Sequence, residues 1–284
     1  MIKKLKSPKD EMSFLDHLED LRWHLIRATL AVVIAATAAF FLKNFIFDVL
    51  LFGPTNVDFI TYDLLCRLAT WTGIGADGGF CFDEMGFTIQ SRTMGGQFSA
   101  HVWTAITAGF IISFPYVIYE FWKFISPAMY SNERNTARGF IFISSLLFFL
   151  GVLFGYYMIT PLSINFLGKY QVSDKVLNEF DLGSYISLVR SSVIACGLIF
   201  ELPIVIYFLT KIGLVTPESL RKYRKISLVV VLVLSAIITP PDILSQIIVA
   251  IPILVLYEIS IQISKVVVKR EAKKLKNQQS LKIR

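Results

Sequence analysis

Hydrophobic residues occupy six long runs along the chain, and mostly short polar segments separate them. A run of about 20 apolar residues crosses a bilayer as a helix, because a helix satisfies its own backbone hydrogen bonds in lipid. The runs predict an all-α membrane protein with six transmembrane helices, at about 25–47, 100–121, 138–159, 185–210, 226–238 and 243–264. The fifth run gives about 20 Å of helix against a hydrocarbon core of about 30 Å, so we expect local thinning of the bilayer there.

The basic residues predict the orientation. Of the 284 residues, 55% are hydrophobic, and the net charge is +7. Counted by segment, 22 lysines and arginines lie on the side of the two termini and 5 on the other side, so both termini are predicted to be cytoplasmic. We expect one integral membrane domain at 1–264 and a basic cytoplasmic tail at 265–284. The tail is better explained by solvation and contact with anionic lipid than by nucleic-acid binding.

A polar connection between the second and third spans carries the first candidate site. The aromatic segment that starts at Pro115 runs into this connection, which contains Glu133. Because Pro127 ends a helix and polar residues after it can cap the next one, Glu133 falls in a positively polarised first turn. A cationic ligand would meet a carboxylate there. A helix-start residue that pairs with a neighbouring arginine explains Glu133 equally well, and the spacing alone leaves both interpretations open.

An amphipathic helix is predicted at 12–27, continuous with the first span. Its apolar face carries four leucines, and its other faces carry Asp16, Glu19, Asp20 and Arg22. Three carboxylates within five residues lie beside a basic membrane edge, where acidic residues have no role in orientation. They form either a solvated helix face or a second acidic binding site.

The outer loop at 53–99 is long for a connection in a compact bundle, and such loops are usually functional or partly disordered. Cys66 and Cys81 flank its glycine-rich centre in the compartment that oxidises thiols, so we predict a disulfide between them, worth roughly 3 kcal/mol of local order. Two free buried thiols are the alternative. Cys196 lies within the fourth span and is expected to be a small packing residue.

Glu201 lies inside the fourth span, where an ionisable side chain is costly and therefore marks a functional site by default. Pro203 is expected to kink the helix, so that the carboxyl faces a water-filled recess rather than lipid. The alternative is a structural anchor that is hydrogen-bonded within the bundle. Farther along, the turn at 239–242 makes the two short last spans an antiparallel hairpin, and Glu258 is expected level with Lys225.

Motifs for catalysis are missing from the sequence. It contains no phosphate-binding loop of the GxxxxGK[ST] kind, no HExxH and no paired-cysteine motif, so we predict no enzyme activity, no cofactor and no metal site. A secondary transporter or channel that uses Glu201 is the competing class, although the two halves of the chain show no internal repeat. A scaffold that only packs other helices is a third class.

Several ordered motifs resemble one family. HLEDLRWHLI, FPYVIYEFWKFISPAMYSNER, FELPIVI, GLVTPESLRKYRK and IITPPDILSQIIVAIPILVLYEI are similar to the TatC family, the multi-spanning receptor of the twin-arginine protein translocase. The resemblance covers most of residues 14–264. It implies a cup-shaped six-helix bundle in the bacterial cytoplasmic membrane that binds twin-arginine signal peptides. It further implies export of folded proteins driven by the proton motive force, TatA-type and TatB-type single-span partners, and a homo-oligomer within the translocase.

The resemblance also assigns roles to residues. The loop carboxylate that meets the arginines of the signal falls on Glu133. The acidic position of the N-terminal motif falls on Asp20, with Glu19 as an extra neighbour, and Arg22 matches the basic position of that motif. Glu201 matches the polar intramembrane site that faces a partner helix. The chain departs from the family in its enlarged outer loop and in its polar tail.

Overall fold

The computed structural model describes residues 14–72, 87–125, 137–173, 175–176, 178–238 and 243–282. Ten α-helices form the framework of this described part. Their bounds are α1 Phe14–Phe41, α2 Ile60–Thr72, α3 Gly96–Ile125, α4 Ala137–Phe154, α5 Thr160–Lys169, α6 Leu182–Phe200, α7 Leu202–Lys211, α8 Pro217–Lys222, α9 Arg224–Ile238 and α10 Ile243–Lys282. Two short strands are β1 Thr88–Gln90 and β2 Glu179–Asp181, and shorter helical segments lie at Phe45–Leu51, Gly53–Thr55 and Gly155–Ile159.

Five helical segments are long and apolar enough to cross a membrane. They are Leu18–Phe41, Gly96–Ile125, Gly139–Lys169, Leu182–Lys211 and Gln246–Lys273. The remaining predicted span lies in α9, which has only 15 residues, as expected from its short apolar run. The predicted helical multi-pass fold is therefore confirmed, and the amphipathic N-terminal segment and the first span form one helix, α1.

The third span is longer than predicted. The sequence predicted its end at about residue 159, but the chain remains helical to Lys169. A wider π-helical turn at Gly155–Ile159 precedes Pro161, which lies in the first turn of α5. Pro161 has no N–H to donate to the carbonyl of Tyr157, four residues earlier. That carbonyl accepts a hydrogen bond from the hydroxyl of Thr61 instead, and the helix continues through the proline.

The fourth span is broken at the predicted place. α6 ends at Phe200, Glu201 lies in a turn, and α7 begins at Leu202 with Pro203 in its first turn. At the other end, the side chain of Asp181 caps α6 by accepting hydrogen bonds from the backbone N–H groups of Gly183 and Ser184, at 2.9 and 3.2 Å.

The outer region contains more regular structure than the predicted loop. α2 lies within it, and β1 pairs in parallel with β2, so that Ile89 is opposite Phe180. Arg92 bonds Glu179 across this pair at 2.9 Å. These strands have only three residues each, too few for a periodic pattern to show in the sequence.

A close helix contact joins α6 to α4 and to the wider turn that follows α4, and we call it the glycine seam. A Cβ atom added at Gly151 would approach the carbonyl oxygen of Cys196 to 2.5 Å, and one at Gly155 would approach that of Ser192 to 2.8 Å. On the opposite partner, a Cβ at Gly197 would meet the ring of Phe148 at 2.7 Å. Backbones pack closely here because small residues let membrane helices approach.

The last two helices form the predicted hairpin, with one correction. The partner of Glu258 is Arg224 rather than Lys225. α10 also packs on α7, where the hydroxyl of Thr210 donates to that of Ser264 at 2.9 Å. The sixth span, predicted at 243–264, belongs to a 40-residue helix that continues through the basic tail.

Candidate functional site

A buried carboxylate joins the cytoplasmic ends of α1 and α3. Glu120, on α3, is only 2% exposed. Its Oε2 lies 2.6 Å from Nδ1 of His24 and 3.5 Å from Nε of Arg27, both on α1. Its Oε1 lies 4.0 Å from Nζ of Lys123, one turn farther along α3. The phenol of Tyr116, one turn earlier on α3, also interacts electrostatically with this carboxylate.

We call these five residues the cytoplasmic cluster. Both oxygens of its central carboxylate have partners, which removes the penalty that an unpaired buried charge would bring. Since two of the partners belong to α1 and two to α3, the cluster fixes the angle and register of α1 on the bundle. α1 depends on such ties because most of its surface faces outward.

The N-terminal candidates lie beyond this cluster. Glu19, Asp20 and Arg22 are exposed on α1. Asp20 lies four residues before His24 and therefore on the same face of the helix, about 6 Å farther out. The arrangement presents acidic groups to water on a helix end that the cluster holds in place.

Glu133 lies outside the described residues, and its predicted position is therefore untested. α3 is described up to Ile125, five residues past Glu120.

Glu201 lies between α6 and α7, 8% exposed. The hydroxyl of Ser144, on α4, donates to its Oε2 at 2.7 Å. Its Oε1 is buried and has no hydrogen-bond partner among the described residues. One oxygen of this carboxyl group is thus bonded within the chain, and the other has no described partner.

The structure describes two of the three cysteines, one as a free thiol and one in a disulfide. Cys196 is a free, buried thiol at the glycine seam. Cys66, on α2, is disulfide-bonded. Cys81 lies outside the described residues, so the bridge between these two remains a prediction.

On the same helix as Cys66, the hydroxyl of Tyr62 donates to the carbonyl of Pro54 at 2.7 Å. Burial raises the pKa of this phenol well above its usual range.

Within the described ranges, no group of three or more histidine, cysteine or acidic side chains is placed to hold a metal ion. The described contacts of the buried carboxylates are charge pairs and hydrogen bonds.

Sequence reasoning missed Glu120. The signal was present, because Glu120 is the one acidic residue between Pro115 and Ile125, in a helix end rich in aromatic residues. The argument that singled out Glu201, a carboxylate within an apolar helix, applies to Glu120 as well. His24 gave no comparable signal, because its partner is 96 residues away in the chain.

Comparison with known proteins decides the family. The family model described as "Sec-independent protein translocase protein (TatC)" matches residues 16–252. The chain belongs to the TatC family. A TatC of Blattabacterium sp. subsp. Periplaneta americana is 46% identical over 267 residues, 94% of this chain and 100% of that protein. A TatC of Aquifex aeolicus is 33% identical over 261 residues, 92% and 98% of the two chains.

Solved TatC structures have the same fold. A crystal structure of a twin-arginine translocase receptor TatC is 32% identical, with a TM-score of 0.64 and coverage of 89% of this chain and 99% of that one. A second, in the detergent DDM, gives a TM-score of 0.66 at 33% identity over 87% and 99%. This TatC is therefore a component of the Sec-independent protein translocase and a multi-pass protein of the bacterial cytoplasmic membrane. Its role is transport rather than catalysis, and it works with other Tat components.

Proposed function

We propose that this TatC is the receptor subunit that binds twin-arginine signal peptides and exports folded proteins with the proton motive force. The observation that carries the proposal is the fixed position of the acidic end of α1. His24 and Arg27 on α1 hold Glu120 of α3, and the exposed Glu19 and Asp20 lie one to two turns beyond. The solved neighbours are themselves twin-arginine translocase receptors.

The chemistry of two adjacent arginines fits two separated carboxylates. Guanidinium is a planar fork that a carboxylate binds with two parallel charge-assisted bonds, and lysine does not copy that geometry. Glu133 takes one arginine, and Asp20 or Glu19 takes the other. Arg22, three residues after Glu19, is close enough on the helix to orient it. Each bond to a charged group contributes roughly 1.5 to 3 kcal/mol.

The test is co-purification of the full chain with a signal peptide that carries two arginines, beside the same peptide with two lysines, at low and moderate salt. We expect selective retention of the arginine form and its loss in Glu133→Gln, which keeps size and polarity but removes the charge. Glu218→Gln is the matched control, because Glu218 is an exposed carboxylate on the same predicted side, in the first turn of α8.

Equal retention of both peptides would mean that general acidic attraction holds them, and the receptor proposal would fail. Equal loss in Glu133→Gln and Glu218→Gln would have the same meaning. In cells, Glu133→Gln is expected to stop export of twin-arginine substrates at a normal protein level, whereas a scaffold that only packs other helices predicts unchanged export.

We further propose that Glu201 is the intramembrane contact for single-span partners of the TatA and TatB type, in an assembly with several copies of this chain. The support is its half-bonded state, with Ser144 on one oxygen and no described partner on the other. A buried carboxyl group with a vacant acceptor stabilises any partner helix that brings a donor.

Purification with tagged partners tests this contact. Glu201→Ala is expected to lower partner retention about tenfold, equivalent to about 1.4 kcal/mol, while signal-peptide binding stays near that of the wild type. Retention equal to the wild type would refute the contact. Loss of proton-coupled transport with full partner retention would instead favour the transporter alternative.

A further inference from the structure

A groove on the membrane-facing surface holds an arginine that the proposed function does not use. The groove has a volume of about 340 Å³ and lies among the outer half of α1 and the residues after it, α3, the end of α4 and α6. Its walls include Ala39, Ala108, Ile111, Val152 and Val193. Among the described residues that line it, Arg190 is the only charged one.

Arg190 has no anionic partner in the described part of the chain. Its guanidinium carbon instead lies 5.2 Å from the centre of the Trp103 ring, a cation–π contact. Such a contact leaves the N–H donors at the edge of the guanidinium plane available. An arginine in a span is normally paired or reaches a polar surface, so an unpaired one calls for an anion from outside the chain.

Arg190 lies about 5 Å inside the boundary between head groups and acyl chains, a depth from which an arginine side chain reaches the head groups. It lies eight residues, or about 12 Å, from the outer end of α6. Trp103 lies seven residues, about 10 Å, from the outer end of α3, and tryptophan is typical of this level of the bilayer. The 30-residue span Leu182–Lys211 is about 45 Å long and exceeds the hydrocarbon core by about 7 Å at each end.

The groove opens toward lipid and is narrow. Several of its border residues are at least half exposed on the outside of the bundle: Leu42, Phe45, Ile112 and Leu153. A transmembrane helix is about 10 Å across, and even three turns of it occupy more than 1,000 Å³, so a helix is too thick to enter. An acyl chain is a thinner occupant that suits apolar walls.

We propose that this groove binds an anionic phospholipid of the outer leaflet, with its phosphate on Arg190 and an acyl chain between α3 and α6. The attraction combines apolar burial with a charge-assisted bond to phosphate, for which guanidinium is well suited.

The test is native mass spectrometry of the delipidated full chain with phosphatidylglycerol or phosphatidylcholine of identical acyl chains. The wild type is expected to retain phosphatidylglycerol about fivefold better, and Arg190→Gln to lose that preference. Arg92→Gln is the matched control, since Arg92 is an outer arginine away from the groove, bonded to Glu179. Arg190→Lys should keep part of the preference.

A second variant tests the apolar half of the site. Ala108→Phe fills the groove and is expected to lower retention of both lipids, with size-exclusion and circular dichroism as checks of folding. Equal retention of the two lipids by the wild type, or equal effects of the Arg190 and Arg92 variants, would overturn the proposal. So would an Arg190→Gln protein that keeps its lipid preference but loses a co-purifying membrane protein, because the groove would then be a protein interface.

Discussion

Two buried carboxylates, Glu120 and Glu201, differ in how fully the chain satisfies them. Glu120 has described partners on both oxygens, among them His24 and Arg27 from a neighbouring helix. Glu201 has one described partner, Ser144, on one oxygen. At similar burial, the carboxylate of Glu120 ties two helices together, whereas Glu201 has one oxygen without a described partner, as our proposed contact for a partner helix requires.

The contrast shows why burial alone does not identify a binding residue. A carboxylate whose hydrogen-bonding capacity is filled contributes to stability, and its loss leaves partner charges unpaired. A carboxylate with a buried vacant oxygen lowers stability until something binds it. We therefore expect a substitution at Glu120 to lower stability more than binding, and a substitution at Glu201 to lower binding more than stability.

The largest effect on stability is expected for Glu120→Ala. It leaves His24 and Arg27 without their carboxylate at the end of α1, and we expect a loss of about 3 kcal/mol in the free energy of unfolding in mixed micelles. Glu258→Ala is the control, because its pair with Arg224 is half exposed. That variant should lose less than about 1 kcal/mol. Similar losses in both would show that the cluster is not a structural tie.

Ser144→Ala should have the next largest effect. It removes the described donor to Glu201 and leaves the carboxyl group without a bond, so a loss of about 1 to 2 kcal/mol is expected in the same unfolding measurement. Ser145→Ala is the matched control, because the buried Ser145 hydroxyl has no described partner. Its removal should be neutral or slightly stabilising. The reverse order of the two would contradict the assigned bond.

Arg27→Gln should change stability little. Arg27 is about half exposed, and Glu120 keeps His24, Tyr116 and Lys123, so we expect a loss of about 0.5 kcal/mol. His24→Ala in parallel should cost more, because His24 makes the shorter bond. A loss above about 2 kcal/mol for Arg27→Gln would mean that it, rather than His24, anchors α1.

Asp20→Asn should have the smallest effect on stability, within about 0.5 kcal/mol in either direction, since the side chain is exposed. The same variant is expected to weaken retention of the two-arginine peptide severalfold, measured with the purified protein. Unchanged retention in Asp20→Asn and in Glu19→Gln together would remove the end of α1 from the binding site.

The apolar runs were sufficient to predict the helical spans, because lipid leaves a chain few alternatives to helices. The break at Glu201 was predictable from Pro203, because a proline disturbs a helix through its own ring and its missing N–H. The longer third span was not, since the sequence alone does not reveal that a wider turn before Pro161 lets the helix continue. The short parallel strands of the outer region depend on pairing between residues about 90 positions apart, which no local pattern encodes.

The candidate site, too, was predicted only in part from the sequence. Exposed acidic residues such as Asp20 were recognisable by composition, and Glu201 by its apolar surroundings. The cytoplasmic cluster was not predicted, because it forms only where α1 and α3 come into contact. Glu120 was recognisable in the sequence as a carboxylate within an apolar helix, but only the fold shows that His24 is its partner.

The glycine seam restricts which substitutions the protein can accept between α4 and α6. A methyl group at Gly151 or Gly155 would collide with backbone atoms of α6, which cannot move aside as a flexible side chain does. Accepting one would require α6 to shift along its whole length, carrying Arg190 and Glu201 with it. In a saturation mutagenesis screen, these two glycines should therefore tolerate almost no substitution, while the outward face of α1 accepts many apolar ones.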